Sequence, residues 1–172
     1  DSSNQYNMTV EKNEELYRSH TLQSAFQFAW RPVSMYCSDN KKPLSVCIDK
    51  ANSCIYVGSI IDNIPDGEGL ILNVDGQPLY KGSFKNGELD GVGKLYNNPN
   101  IPEKCYLEGP FKEGKISGPF VIYSIESGHK LYSCYFEKTT MKGSIFFCNC
   151  KVFDGDMIDW KPRLGIQYYL TG

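Results

Sequence analysis

The sequence predicts an all-β chain, an elongated and twisted antiparallel sheet of successive β-hairpins, and three observations predict it. Glycine recurs at fixed offsets: Gly82, Gly87 and Gly91 are five and then four residues apart, and Gly109, Gly114 and Gly118 repeat that spacing 27 residues later. Around the first glycine of each set, side chains alternate with period two, as in Tyr80-Lys81-Gly82-Ser83-Phe84-Lys85 and Leu107-Glu108-Gly109-Pro110-Phe111-Lys112, which is the period of a strand with one buried face. Twelve tyrosines and nine phenylalanines in 172 residues suit strands. Such self-similarity marks an array of small units, each unable to bury its apolar face alone.

The elements follow in order. Residues 1–20 are polar, and Glu11, Lys12, Glu14 and Glu15 read as a solvated arm or a short helix. Leu22, Ala25, Phe26, Phe28, Ala29 and Trp30 then form an apolar stretch ended by Pro32, which needs a surface to pack on. The later strands offer one, being apolar on both faces: Leu70 and Leu72 flank Ile71, and Val121 and Tyr123 flank Ile122. Segment 22–36 is therefore expected to cover the face opposite Tyr80, Gly82 and Phe84, leaving the remainder to another chain. The chain divides into an arm and packing segment (1–35), a cysteine-containing lead-in (36–55) and the hairpin array with its cap (56–172).

Five copies are readable in the array. The first is Tyr56-Val57-Gly58 with Gly67-Glu68-Gly69 downstream; the second is Tyr80 to Phe84 with Gly91 and Gly93; the third is Leu107 to Phe111 with Gly118. The fourth, Tyr132-Ser133-Cys134, carries cysteine where the others have glycine and reaches Gly143 after the same interval of nine. A fifth at Phe153-Asp154-Gly155 lacks the downstream glycines and reads as a cap, with Trp160, Tyr168 and Tyr169 closing the last hairpin or, alternatively, forming a ligand platform. Within a copy, Tyr80, Gly82 and Phe84 share one face while Lys81, Ser83 and Lys85 take the other. The polar segment 86–90, with Gly87 near its start, is a hairpin turn needing positive φ, and the strand resumes at Gly91. Glycine inside a strand costs about 0.5–1 kcal/mol relative to alanine, so its recurrence implies that a ring from the neighbouring unit lies on bare backbone.

These residues resemble the MORN repeat, whose motif runs aromatic, any residue, glycine, a large residue two further on, then glycines closing a short hairpin. The resemblance spans roughly residues 56 to 148, with Cys134 and Thr139 standing where the family has glycine. It implies a twisted sheet of successive hairpins used for protein assembly and dimerisation, with phospholipid binding proposed for some members and others found beside enzyme domains. Most such proteins are intracellular.

Function classes narrow from composition. A net charge of −2 gives no bulk attraction to nucleic acid, and no stretch approaches the roughly 20 apolar residues of a membrane-spanning helix. His20 and His129 have no partner pattern of an activated nucleophile, so no catalytic residue is assigned and the chain is read as non-enzymatic. Cys148 and Cys150 place two sulfurs on one strand face without a second pair at zinc spacing, and Asp154, Asp156 and Asp159 lack the bidentate glutamate of a calcium loop, so neither metal nor cofactor is expected. The expected function is a protein-interaction module that binds a protein partner or a second copy through an exposed sheet face, with Lys81, Lys85 and Lys112 on that face. The alternatives are a phospholipid or small-ligand module using Lys81, Lys85, Lys94 and Lys112, diluted by Glu88, Asp90, Glu108 and Glu113, and a substrate-positioning domain of a larger enzyme.

Seven cysteines (Cys37, Cys47, Cys54, Cys105, Cys134, Cys148 and Cys150) are candidates for disulfides, their odd number leaving at least one free. The sequon Asn7-Met8-Thr9 is usable in a secretory compartment, and a first residue of Asp1 suits a trimmed product. Together they favour an extracellular, secreted glycoprotein; the resemblance favours a cytoplasmic, membrane-associated one.

Overall fold

The computed structural model describes residues 22–36 and 43–169, and these are all-β with no helix. The expected helix or arm over 1–20, Cys37, His20 and the sequon at Asn7 lie outside the described residues. Among the described residues thirteen strands form one open antiparallel sheet in which each strand except β8 pairs with the next one along the path: β1 (Arg31–Tyr36), β2 (Pro43–Asp49), β3 (Cys54–Ile61), β4 (Ile64–Asn73), β5 (Pro78–Lys85), β6 (Glu88–Tyr96), β7 (Cys105–Lys112), β8 (Lys115–Ile116), β9 (Phe120–Ser124), β10 (Lys130–Glu137), β11 (Thr140–Phe147), β12 (Cys150–Ile158) and β13 (Lys161–Gln167). Strands β8 and β9 both pair with β7, because Pro119 has no N–H to continue the ladder and splits what would be one strand. Edge strands β1 and β13 each carry a proline, Pro32 and Pro162, which edges tolerate. Strands β1 and β2 extend the same sheet ahead of the hairpin array.

The repeats are hairpins, with turns tighter than the sequence suggested. Lys85 pairs with Glu88, so the turn is the two residues Asn86-Gly87 at φ of 50° and 83°, and β6 begins at Glu88 rather than Gly91. Asp62-Asn63 and Asp159-Trp160 close the first and last hairpins with both residues at positive φ, the primed turn whose twist matches that of paired strands. Gly91, at φ 102°, sits inside β6 at a bulge, as does Gly67, at φ 100°, in β4. Gly118 falls in the break between β8 and β9.

One row of glycine crosses the sheet. Register places Gly58 opposite Gly69, Gly69 opposite Gly82, Gly82 opposite Gly93, and Gly93 opposite Gly109. Gly109 faces Phe120, whose Cβ lies 2.7 Å from where a Cβ on Gly109 would stand. The row continues through Cys134, Gly143, Gly155 and Gly165. Gly165 is thus the downstream glycine that the fifth copy was expected to lack, and that copy is a full hairpin.

Space, not backbone conformation, demands these residues at 69 and 93. A Cβ on Gly69 would stand 2.2 Å from a Tyr56 ring carbon, and one on Gly93 2.1 Å from the Tyr80 hydroxyl and 2.3 Å from its ring. Each ring therefore lies on the second strand of its own hairpin, not on the neighbouring unit as expected. The Tyr56 hydroxyl donates to the Ser59 carbonyl at 2.7 Å, which aims the ring along its own strand. In the third hairpin the roles are exchanged: Leu107 occupies the tyrosine position, and Phe120 fills the place of the bare glycine.

Segment 22–30 crosses the face that carries these rings, which corrects the expectation that it covers the opposite one. Phe28 stacks on Trp30 at 4.7 Å, Trp30 meets Tyr56 at 5.9 Å, and contacts from Tyr56 to Phe84, Phe84 to Tyr80 and Tyr80 to Phe111 follow at 4.7, 5.3 and 5.3 Å. Edge-to-face geometry dominates this chain of six rings, as ring quadrupoles prefer. The segment is held by hairpin tips: Trp30 Nε1–H donates to the Gly87 carbonyl at 2.8 Å, the Phe26 N–H to that of Gly114 at 2.9 Å, and Gln23 Nε2 to that of Lys138 at 2.6 Å. The N–H groups of Gly87 and Gly114 bond in turn to Pro65 and Leu89 of the preceding hairpin, at 2.8 and 3.0 Å. A Cβ on Gly114 would lie 2.6 Å from the Phe26 oxygen, so this glycine serves both its turn and the crossing segment. At the far end of the segment the buried Asp49 carboxylate accepts from the Ala29 N–H at 3.0 Å and from the backbone and side chain of Asn52 at 3.2 and 2.7 Å.

Candidate functional site

With the inner face taken by segment 22–30, the outer face is what the sheet presents to its surroundings. Alternation puts there the residue after each inner one: Tyr96 beside Leu95, Tyr106 beside Leu107, Tyr123 beside Ile122. Register aligns them, pairing Tyr96 with Tyr106 and Tyr106 with Tyr123. Their rings form a ladder with centroids 5.4 and 5.2 Å apart, the second pair stacked at 20°. Lys130, opposite Tyr123 in register, sits 4.0 Å from the centre of the Phe146 ring, and Lys94 lies 5.5 Å from that of Tyr106. The result is a half-buried aromatic stripe across β6 to β11 with two cations on it.

The lysines expected on this face are there but do not form one patch. Lys81 stands opposite Lys94, whose ammonium is 3.9 Å from Glu108; Lys85 pairs in register with Glu88; Lys112 lies at the hairpin tips beside Lys115. Acidic neighbours thus interrupt the positive charge. Val92 rises from the same face at 65% exposure. Beyond the stripe, Lys142 bridges Glu137 at 2.5 Å and Asp156 at 3.9 Å, and the hydrogen bond and charge of Glu137 raise its pKa.

At the array's end, β13 is exposed along its whole length, with Leu164 at 70% and Ile166 at 62%, and no described strand pairs with its outer edge. Trp160 does close the last hairpin as expected, packing edge-on against Tyr132 at 5.1 Å and donating Nε1–H to the Asn100 carbonyl at 3.2 Å. Tyr168 continues the hairpin through a bond from its N–H to Val152, while Tyr169 is exposed.

The cysteine expectations need correction. The six described cysteines are free thiols; Cys47, Cys54, Cys105 and Cys134 are buried in the inner face, Cys148 and Cys150 are exposed. Burial pushes the Cys134 thiol up to about 12, and burial with the Asp49 charge pushes Cys54 to about 11, which makes both inert small hydrophobes. Cys148 is not on a strand face: with Asn149 it forms the two-residue turn between β11 and β12, at φ of 48° and 63°. Asp154 and Asp156 are likewise inside β12 rather than in a turn, where Asp154 accepts from Ser144 Oγ at 2.9 Å. The aromatic ladder was not read from the sequence. Its signal was a tyrosine adjoining each of Leu95, Leu107 and Ile122, which becomes a stripe only once register is known. No protein-family model and no curated protein sequence matches the chain.

Proposed function

We propose that the chain is a MORN-like hairpin array acting as a non-catalytic interaction module, which takes a protein partner or a second copy of itself on the outer face. The Tyr96–Tyr106–Tyr123 ladder carries this reading: large, rigid rings of low side-chain entropy, flanked by alternating charge, are the surface that protein interfaces favour. Exposed strand β13 supplies a second contact, an edge to which an extended strand can add. Interleaving of Lys81, Lys85 and Lys94 with Glu88 and Glu108 supports a protein over an anionic lipid surface, which rewards uninterrupted positive charge. Buried, unpaired thiols support the cytoplasmic alternative over the secreted one.

A photo-crosslinking residue placed at 106 or 123, in the cells that make the protein, tests the reading. Discrete adducts of defined mass, either twice that of the chain or that of another protein, are expected from both positions and not from position 75 in the β4–β5 turn. Adducts of equal yield from position 75, or none from the ladder, refute it.

A further inference from the structure

The crossing segment and the sheet do not touch everywhere. Between residues 24–28, the inner-face side chains of β3 to β6 and residues 97–100 of the loop after β6 lies a cavity of about 420 Å³. Its floor is Cys54, Ile71, Leu79, Leu89 and Leu95, and Phe26 and Phe28 stand over it. Five neutral amides are among its lining, Gln27, Asn52, Asn97, Asn98 and Asn100, of which Asn52 Nδ2 already donates to Asp49 at 2.7 Å and to the Gln27 carbonyl at 3.2 Å, and Asn97 Nδ2 to the Pro78 carbonyl at 3.0 Å. None of the lining residues is Asp, Glu, Lys, Arg or His. Cys54 stays a neutral thiol, as its elevated pKa requires.

We propose that this cavity binds an uncharged small molecule with an apolar body and a hydrogen-bonding head, such as a medium-chain alcohol or an aromatic amine. Its size falls within the range of small-molecule sites, roughly 300–1,000 Å³, and apolar walls with a few convergent polar groups are their usual makeup. An anionic head would be stripped of water with no cation to meet it and with the Asp49 carboxylate behind Asn52, a cost that excludes carboxylates and phosphates. Amides can both donate to and accept from a hydroxyl or amine, so the 97–100 loop, and not the already bonded Asn52, sets the ligand's direction. The cavity lies on the inner face and meets the outer ladder only at Tyr96, which also lines it.

Titration with the neutral fluorophore 1-aminoanthracene tests this. A saturable, blue-shifted emission with one site per chain is expected, displaced by 1-decanol at least tenfold more effectively than by decanoate. Ala25→Phe, which adds a ring from the crossing segment into the cavity, is expected to weaken binding at least tenfold while the chain keeps its strand signature by circular dichroism. Methyl resonances of Ile71, Leu89 and Leu95 in the unmutated protein should move with 1-decanol, a readout that needs no variant to fold. Absence of saturation, equal displacement by decanoate, or shifts confined to residues outside the cavity would overturn the proposal.

Discussion

Exchanging one hairpin's packing for another's is the sharpest test of why glycine crosses this sheet. In the second hairpin Tyr80 lies on bare Gly93; in the third, Leu107 and Phe120 fill the same two positions with the sizes reversed. Consider Gly93→Phe alone. Strand β6 is clamped between β5 and β7, with Gly93 opposite both Gly82 and Gly109, so its backbone cannot retreat and the Tyr80 ring must leave. Tyr80 is 1% exposed and touches Phe84 and Phe111 at 5.3 Å each. Expelling a core ring costs about 3–5 kcal/mol, more than the roughly 1–3 of overpacking, so expulsion sets the scale. Tyr80→Leu alone removes most of the ring and leaves a void, at about 2–4 kcal/mol. The double variant recreates the Leu107–Phe120 pair, and each change removes the defect of the other. Urea denaturation of the four proteins at 25 °C should give a double-variant cost about 2–3 kcal/mol below the sum of the singles, with the denaturant slope unchanged. Additivity within about 0.5 kcal/mol refutes the argument that ring and glycine are one packing unit.

The remaining expectations concern the crossing segment, the acid limit and the thiols. Trp30→Phe keeps a ring but loses the bond to Gly87, costing about 1 kcal/mol by urea melting, whereas Trp30→Ala costs about 3–5; equal losses would contradict the arrangement. Burial alone would raise the pKa of Asp49, but its hydrogen bonds from Asn52 and Ala29 outweigh that and hold it below the ordinary 3.8, so its contribution is complete above that value and fades as pH falls through the folded-state value. Asp49→Asn should therefore flatten stability below about pH 4, and an unchanged acid limb would count against the carboxylate's role. Thiol titration should find at least six thiols after denaturation, with Cys148 and Cys150 reacting quickly in the native protein and Cys47, Cys54, Cys105 and Cys134 protected; fewer than six when denatured would mean disulfides.

Much of the fold was legible because it rests on local period and turn chemistry. Tyr80, Gly82 and Phe84 announce their shared face by spacing two, and Gly87 announces a turn, though over 86–90 and not the two residues that close it. What escaped depends on register or on distant partners. Phe120 looks like an ordinary core residue until the pairing of β7 with β9 puts it in line with the glycines. Trp160 is an unlikely-looking residue for a positive-φ turn, and only Tyr132 and Asn100, 28 and 60 residues away in sequence, explain why it is held there. The doubly apolar strands misdirected the crossing segment: Leu70, Leu72, Val121 and Tyr123 are half-buried among their own outer-face neighbours, so they need no cover. The outer ladder follows from the same pairing and was hidden for the same reason. The cavity required the segment's actual path.

That path ties the molecule together in time as well as space. A plain row of hairpins joins only nearest neighbours, and such arrays melt or grow from any point along their length. Here Gln23 reaches a turn 115 residues further along the chain, after passing two others on the way. During synthesis the segment emerges before the strands it covers yet has no complete seat until the fourth hairpin exists, so its docking closes a loop spanning most of the sheet. A stack of separable modules becomes a single cooperative unit, sealed by a stretch that is made before any of the strands it fastens.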